Sequence, residues 1–477
     1  MLKNYITTSL EDHLSYRPTD SQRKLFGVLA DFIVNRKNDE ILLITGYAGT
    51  GKTTTVKSFI QTLYSFQIKS VLMAPTGRAA KVLSSYAGKT AYTIHKKIYR
   101  QKSSSEGLGD FVLEKNLHKN TYFIVDEASM ISNHSSELSV FGSGRLLDDL
   151  VDYVYQGEGC KLILIGDSAQ LPPVKMDLSP ALDPARMEGY GLTARKAFLS
   201  DILRQSAESG ILFNATHIRQ LIEGSDQSSF PRLQVEDFED VERVGGAELI
   251  ELISDVYEGY GEEEAVIVTR SNKRANLFNQ GIRNQILWRE EELAMGDFLM
   301  VVRNNYYWLD EEEELDFIAN GDIAEVTRIH GYQELYGFKF ADVRLRFVDY
   351  EDVELDAKIL MDTIHSNQAA LSREENRQLF QSVMEDYQDT RTKKARYQKV
   401  RENPFFNALQ VKFAYAVTCH KAQGGQWKVV FIDHGFINEE MINREFYRWL
   451  YTAFTRATEQ LYLVNFHKAF FGEDQEQ

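Results

Sequence analysis

The segment Gly46-Tyr47-Ala48-Gly49-Thr50-Gly51-Lys52-Thr53-Thr54 sets glycines, a lysine and hydroxyls at the spacing of a loop that wraps phosphates. Glycines let successive backbone N–H groups curl round an anion, and a helix opening at the lysine adds its dipole. Lys52 is placed to reach the β- and γ-phosphates of ATP, and the Thr53 hydroxyl to ligate Mg²⁺. A random chain of this length shows such a pattern roughly 2 times in 100, and an apolar run before it with a helical pattern after it narrows the chance further. A second cluster, FIVDE, ends an apolar run in Asp126 and Glu127. Alone such an ending is often just a strand leaving a core. After a phosphate loop, Asp126 becomes a magnesium holder and Glu127 a general base that polarises the attacking water. Gln170, in LIGDSAQLPPV, stands where it can sense a γ-phosphate, or in a turn stiffened by Pro172 and Pro173. Arg204 and Arg456 each lie beside an apolar run. Each taken alone reads as a solvated or salt-bridged surface residue; facing a transferred phosphoryl group, each could stabilise its charge.

These residues need a sheet edge to stand on. Short branched runs, EILLIT (40–45), SVLMA (70–74), YFIV (122–125) and KLILI (161–165), each end at Gly, Pro or Asp, as buried parallel strands do. The rhythm returns at AVIVT (265–269), 409–417, VVFID (429–433) and QLYLVN (460–465), so two α/β cores are expected. A polar insert at 93–120 carries SSSEGLGD, which reads as a hairpin tip. Between 296 and 404, pieces at 298–303, 322–328 and 343–348 suggest a small β-barrel, followed by a charged helical stretch at about 356–402. Six basic residues fall within 391–401 and read either as a solvated helix face or as a phosphate grip. Acidic 310–314 reads as a loop tip.

The bulk numbers set limits. At 477 residues the chain suggests two to four domains, and 43% hydrophobic with 26% charged residues is a globular profile. A net charge of −16 argues against coating by nucleic acid but leaves room for a basic channel. Cys160 and Cys419 are too few for a disulfide framework or a thiolate zinc site, and no signal-like or membrane-length apolar run occurs. A reducing, cytoplasmic setting is expected.

GYAGTGKTTT, APTGRAA (74–80), VDEASM (125–130), IGDSAQLPPV (165–174), TCHKAQGGQW (418–427) and LYTAFTRA (450–457) stand in the order of the superfamily-1 helicase motifs. The sequence resembles the RecD/Dda/Pif-like branch of that superfamily, whose members typically move 5′→3′ on DNA. The signature segments run from residue 19 to 457. The resemblance implies two RecA-like parallel-sheet cores, with a hairpin insert (93–120) in the first (1–92 and 121–200). An SH3-like barrel with a helical arm (296–404) interrupts the second (201–295 and 405–477).

It also implies roles. Thr19 and Gln22 match an adenine-reading motif, and Gly46 to Thr54 the nucleotide loop. Arg204 and Arg456 match two arginines that the second core lends to the γ-phosphate. Pro75, Thr76, Arg78, Thr93 and His95 match strand contacts of the first core; Thr418, His420, Lys421 and Gln423 match the motif of the second core that couples nucleotide to strand. Outside those motifs His95 and His420 would read as ordinary core or surface histidines. Ala422 stands where a hydroxyl is usual, which removes a donor to a phosphate. The implied partners are single-stranded DNA and duplex junctions, engaged by a monomer, with repair or nuclease-complex proteins beside it. The implied setting is bacterial or phage-like and nucleoid-associated. The insert is expected to form a duplex-splitting pin, with Phe111 a stacking residue or a core anchor. Two other readings, an RNA or ribonucleoprotein remodeller and the motor subunit of a nuclease complex, share the same motifs.

Overall fold

The computed structural model describes residues 2–35, 37–101, 111–133, 142–174, 176–201, 209–224, 229–309, 318–348, 350 and 353–473. Arg204, the segment 103–110 and the acidic run 310–314 lie outside the described residues.

The first sheet has six strands in the order Ala91–Thr93, Lys69–Ala74, Thr121–Val125, Lys161–Gly166, Glu40–Gly46, Thr193–Leu199, every neighbouring pair parallel. Side chains alternate across a strand. Leu42 and Ile44 therefore pack with Leu25, Phe26 and Phe59 on one face, from the helices Asp20–Val34 and Lys52–Ser65. Ile41 and Leu43 pack on the other face with Leu147, Leu150 and Val154 of the helix Leu146–Gln156. Burial on both faces explains the unbroken apolar runs. The edge strand Thr193–Leu199 was not evident in the sequence, because Arg195 and Lys196 interrupt its pattern. Arg195 is accommodated at that edge by Glu40, 2.7 Å away.

The second sheet runs Ala416–Thr418, Ala265–Thr269, Trp427–Asp433, Ala457–Val464, Val241–Val244, again all parallel. The two sheets are RecA-like cores, and a closed barrel is inserted in the second. Its strands are Phe298–Val301, Ile323–Leu335, Phe338–Phe347, Glu354–Leu360 and Leu409–Phe413. Two expectations are corrected here. The run 409–417 is not one strand of the second core: Leu409–Phe413 closes the barrel, and after Ala414 and Tyr415 the chain enters the core sheet. The helical stretch does not begin at 356, since Glu354–Leu360 is a barrel strand; the helices are Asp362–His365, Arg373–Glu385 and Lys393–Arg401. In the last of these Lys393, Lys394 and Lys399 are exposed, which leaves both readings of the basic run standing.

The hairpin is present as Tyr99–Gln101 paired antiparallel with Phe111–Leu113. Phe111 packs on Tyr306 of the barrel-bearing insert, ring centroids 4.4 Å apart. The cores themselves meet through an apolar cluster in which Ala169 and Leu171 of the first join Leu450, Ala453 and Trp427 of the second.

Candidate nucleotide cleft and strand-binding surface

The phosphate loop lies at the C-terminal end of strand Glu40–Gly46, where open α/β sheets bind ligands. Gly49 and Gly51 have φ of 73° and 77°, a conformation that costs other residues energy. A Cβ on Gly46 would sit 2.8 Å from Leu199 Cβ. The helix Lys52–Ser65 starts with no side-chain cap. By contrast Thr76, Thr93 and Ser271 each cap their own helices with a hydroxyl. Its first-turn N–H groups are thus left for an anion. Lys52 Nζ donates to the carbonyls of Gly46 (2.7 Å) and Tyr47 (2.8 Å) and pairs with Asp167 at 3.5 Å.

Asp126 and Glu127 follow strand Thr121–Val125, as the sequence implied. Asp126 Oδ1 accepts the Glu127 N–H at 2.8 Å, and its Oδ2 accepts the Tyr86 hydroxyl at 2.6 Å. Glu127 adopts φ 51°, a strained value for a non-glycine residue, which turns the chain at the sheet edge. Burial raises the Glu127 carboxyl above its ordinary range; Arg456 opposes this, Asp126 adds to it, Lys52 opposes it and Asp167 adds to it. The carboxyl therefore feels Lys52 of one core and Arg456 of the other. Arg456 is buried, and its guanidinium donates to Thr452 O and Gly425 O, both at 3.1 Å. Gln170 is buried beside Asp167, and its N–H reaches Asp167 O at 3.4 Å.

Magnesium fits the donor set. Thr53 is exposed at the start of its helix and Asp126 is half-buried at the end of its strand, a hydroxyl and a carboxylate suited to a hard cation that otherwise takes phosphate oxygens and water. Among the described residues no group of three or more His, Cys, Asp or Glu could hold a metal alone.

Several residues escaped sequence reasoning. Tyr451, wholly buried, reaches from the second core: its hydroxyl accepts the Ala48 N–H at 2.8 Å and donates to Asp167 Oδ2 at 2.7 Å. Its place inside an apolar helix pattern gave no hint of this. Arg219 stacks over the Tyr47 ring at 4.4 Å, and the Tyr47 hydroxyl donates to Glu223. Gln22 is fully buried and closes a capping box with Thr19. Its amide also donates to Tyr16 (3.0 Å) and Thr55 (3.3 Å), so its capacity is already engaged.

The strand-contact candidates divide. Thr76 caps the helix Gly77–Ala87, next to Pro75, and Thr93 caps Ile94–Ile98. Burial pushes His95 down to about 4, so it is neutral near pH 7. Arg78 donates to Gln426 O at 2.9 Å and lies 3.9 Å over the Trp427 ring, spanning the cores. Gln423 donates to Leu171 O at 2.7 Å, also across the cores. Lys421 bonds Asn320 beside the barrel, and burial with Lys412 nearby lowers it to about 8. Thr418 precedes the turn Cys419–Ala422 without capping it, and His420 is exposed. Ala422 is wholly buried in the apolar cluster shared by the two cores.

A family model described as an AAA domain matches residues 30–220, and one described as the UvrD-like helicase C-terminal domain matches 413–464. The chain is 25% identical over 458 residues to the ATP-dependent RecD2 DNA helicase of Deinococcus radiodurans, covering 93% of this chain and 50% of that one. It is 25% identical over 327 residues to the ATP-dependent DNA helicase Dda of Enterobacteria phage T4, covering 65% and 67%. In these two family models and these relatives the chain is similar to the superfamily-1 helicases of the RecD/Pif-like branch. It spans half the length of the RecD2 relative. Among solved structures, Pif1 helicase from Bacteroides in complex with ADP-AlF3 and single-stranded DNA aligns over 96% of this chain and 94% of its own, at 15% identity and a TM-score of 0.47. Among the described residues no helix is long and apolar enough to cross a membrane.

Proposed function

We propose that the chain is an ATP-dependent DNA helicase that moves 5′→3′ on single-stranded DNA and opens duplex ahead of it. The observation that carries this reading is electrostatic: the Glu127 carboxyl of the first core feels the charges of both Arg456, from the second core, and Lys52. A cleft of that kind hydrolyses a nucleotide only when two lobes are together, which makes hydrolysis a motion.

In this reading ATP enters between the cores with its β- and γ-phosphates on the uncapped helix start, drawing Lys52 off the Gly46 and Tyr47 carbonyls. Thr53 and Asp126 would hold Mg²⁺, which would supply charge neutralisation for the triphosphate. Glu127 takes the proton of the attacking water, Gln170 orients it, and Arg456 stabilises the charge spread over the transferred group. Arg204 is proposed as a second arginine on the strength of its motif. Thr19 and Gln22 border the adenine end, where Gln22 would exchange its capping bonds for the base.

The strand would lie across Pro75, Thr76, Thr93 and His95 on one core and Thr418, His420 and Lys421 on the other. Arg78 and Gln423 now bridge the cores, and cleft motion would shift them towards the strand. The segmentation given above (1–92 with 121–200, 93–120, 201–295 with 405–477, 296–404) supplies two grips, a pin and a barrel. A monomer acting at single-strand–duplex junctions, inside a cell and near the genome, is the implied setting.

The test compares unwinding of duplexes with a 5′ or a 3′ single-stranded tail, with Lys52→Ala as control. Unwinding from the 5′ tail alone, abolished by Lys52→Ala, is expected. Unwinding from the 3′ tail alone overturns the polarity, and ATPase activity indifferent to DNA overturns the motor.

A further inference from the structure

Beside the cleft lies a cavity of about 170 Å³ with Asp167 in its wall. Three other wall residues are more than nine-tenths buried: Ser129 is 2% exposed, Gln170 6% and Arg448 6%. Among the described residues Ser129 Oγ, Gln170 Oε1 and Arg448 Nε find no hydrogen-bond partner. A buried polar atom left unpaired is destabilising, and native structures rarely leave one. Three around one cavity point to something that fills it.

Their chemistry says what. Arg448 Nε donates and brings positive charge, Gln170 Oε1 only accepts, and the Ser129 hydroxyl does either. The complement is an anion rich in acceptor oxygens that keeps at least one O–H. Inorganic phosphate at neutral pH is such an ion; sulfate has no O–H to offer. A water takes about 30 Å³, so the volume suits one tetrahedral anion with some hydration. Two carboxylates also line it, but both are engaged. Asp167 is held by Lys52, Tyr451 and the Ala169 N–H, and Asp183 caps the turn Pro184–Glu188.

The position matters as much. Ser129 follows Glu127 by two residues, and Asp167 pairs with Lys52, so the cavity shares a wall with the phosphate-loop lysine. Gly166 makes this possible, since a Cβ there would meet Ser129 N at 3.0 Å. Arg448 comes from the second core and is tied to the first by its bond to Asp177 O.

We propose that this cavity is a holding site for inorganic phosphate, occupied after ATP is cleaved and before the product leaves. The proposal rests on the reading of the cleft as an ATPase. Because one wall belongs to each core, bound phosphate favours docked cores and its departure lets them part.

The test titrates inorganic phosphate into the full chain, saturated with Mg-ADP and again nucleotide-free, by calorimetry and ³¹P line broadening. Saturable binding is expected, at least tenfold weaker in Arg448→Gln and several-fold weaker in Ser129→Ala. Absence of saturable binding in the unmodified chain overturns the proposal. So does unchanged affinity in the variants, which would put the ion in the γ-phosphate position instead. Should Arg448→Gln fail to fold, Ser129→Ala, which removes one oxygen, decides. DNA-stimulated ATPase of the unmodified chain, measured in parallel, tests the functional reading separately: intact ATPase without phosphate binding sinks only the holding site.

Discussion

Tyr451→Phe removes a single oxygen and tests whether the cores are latched through the phosphate loop. That hydroxyl is the only link between the Ala48 N–H and Asp167 Oδ2 that the described residues provide, at 2.8 and 2.7 Å, and the side chain is 1% exposed. A hydrogen bond to a carboxylate contributes about 1.5–3 kcal/mol, and an amide stranded without water costs a similar amount. Allowing for partial relaxation, we expect about 2–3 kcal/mol in favour of the open form, roughly a 30- to 150-fold change in the docked-to-open ratio. Energy transfer between one dye on the helix Gly77–Ala87 and another on Gly210–Glu223 reads that ratio in the nucleotide-free chain. A cycle with Asp167→Asn isolates the pair, with a coupling of about 1–2 kcal/mol expected. A ratio within twofold of the unmodified chain, or zero coupling, refutes the latch.

The remaining predictions concern charge, packing and the hairpin. Because the Glu127 carboxyl is raised, the acid limb of the ATPase pH profile should lie above the ordinary carboxylate range, with activity appearing as the group deprotonates. Arg456→Gln, which removes the lowering influence, should move the limb of the residual activity higher; a limb that stays put refutes the assignment. The linkage sign is opposite for stability: a carboxyl with a folded pKa above its unfolded value favours the fold when protonated, so Glu127→Gln should raise the melting temperature at pH 8. Gly424→Ala puts a Cβ 3.0 Å from Thr76 Oγ1 at a φ of 76°; a loss of about 1–3 kcal/mol in docking should weaken strand binding at least fivefold in an anisotropy titration. Phe111→Ala, which removes the contact with Tyr306, should lower base pairs opened per ATP while strand-stimulated ATPase persists, and an unchanged ratio would show the ring to be only a core anchor.

What the sequence made legible follows from where each signal resides. Local patterns such as GYAGTGKTT and FIVDE fix a backbone shape together with a chemistry, so the positions of Lys52 and Glu127 just past the ends of two parallel strands were readable. Arg456 was readable only through its motif, since its neighbours could equally serve a surface helix. Tyr451 was not, because a buried tyrosine in WLYTAF satisfies the apolar period whether or not its hydroxyl reaches another lobe. The strand Thr193–Leu199 hid behind Arg195, whose partner Glu40 lies 155 residues earlier. The run 409–417 looked continuous because both its halves are buried, in different sheets.

That junction has a mechanical consequence. Leu409–Phe413 and Ala416–Thr418 are separated by two residues, and Tyr415 between them fastens its hydroxyl to Asp297 at 3.1 Å and to the Phe298 N–H at 3.2 Å. Barrel and second core also share one apolar interior, where Leu299 and Val326 join Val429 and Phe431. With no hinge there, the barrel behaves as a crank welded to its shaft: whatever angle the second core turns through, the barrel sweeps too. If the cores close and part as proposed, its loop, where Tyr350 approaches Gly77 and Val348 O accepts Lys81 at 2.7 Å, slides along the first core at every stroke. Stiffening that sliding contact would stall the engine far from its fuel.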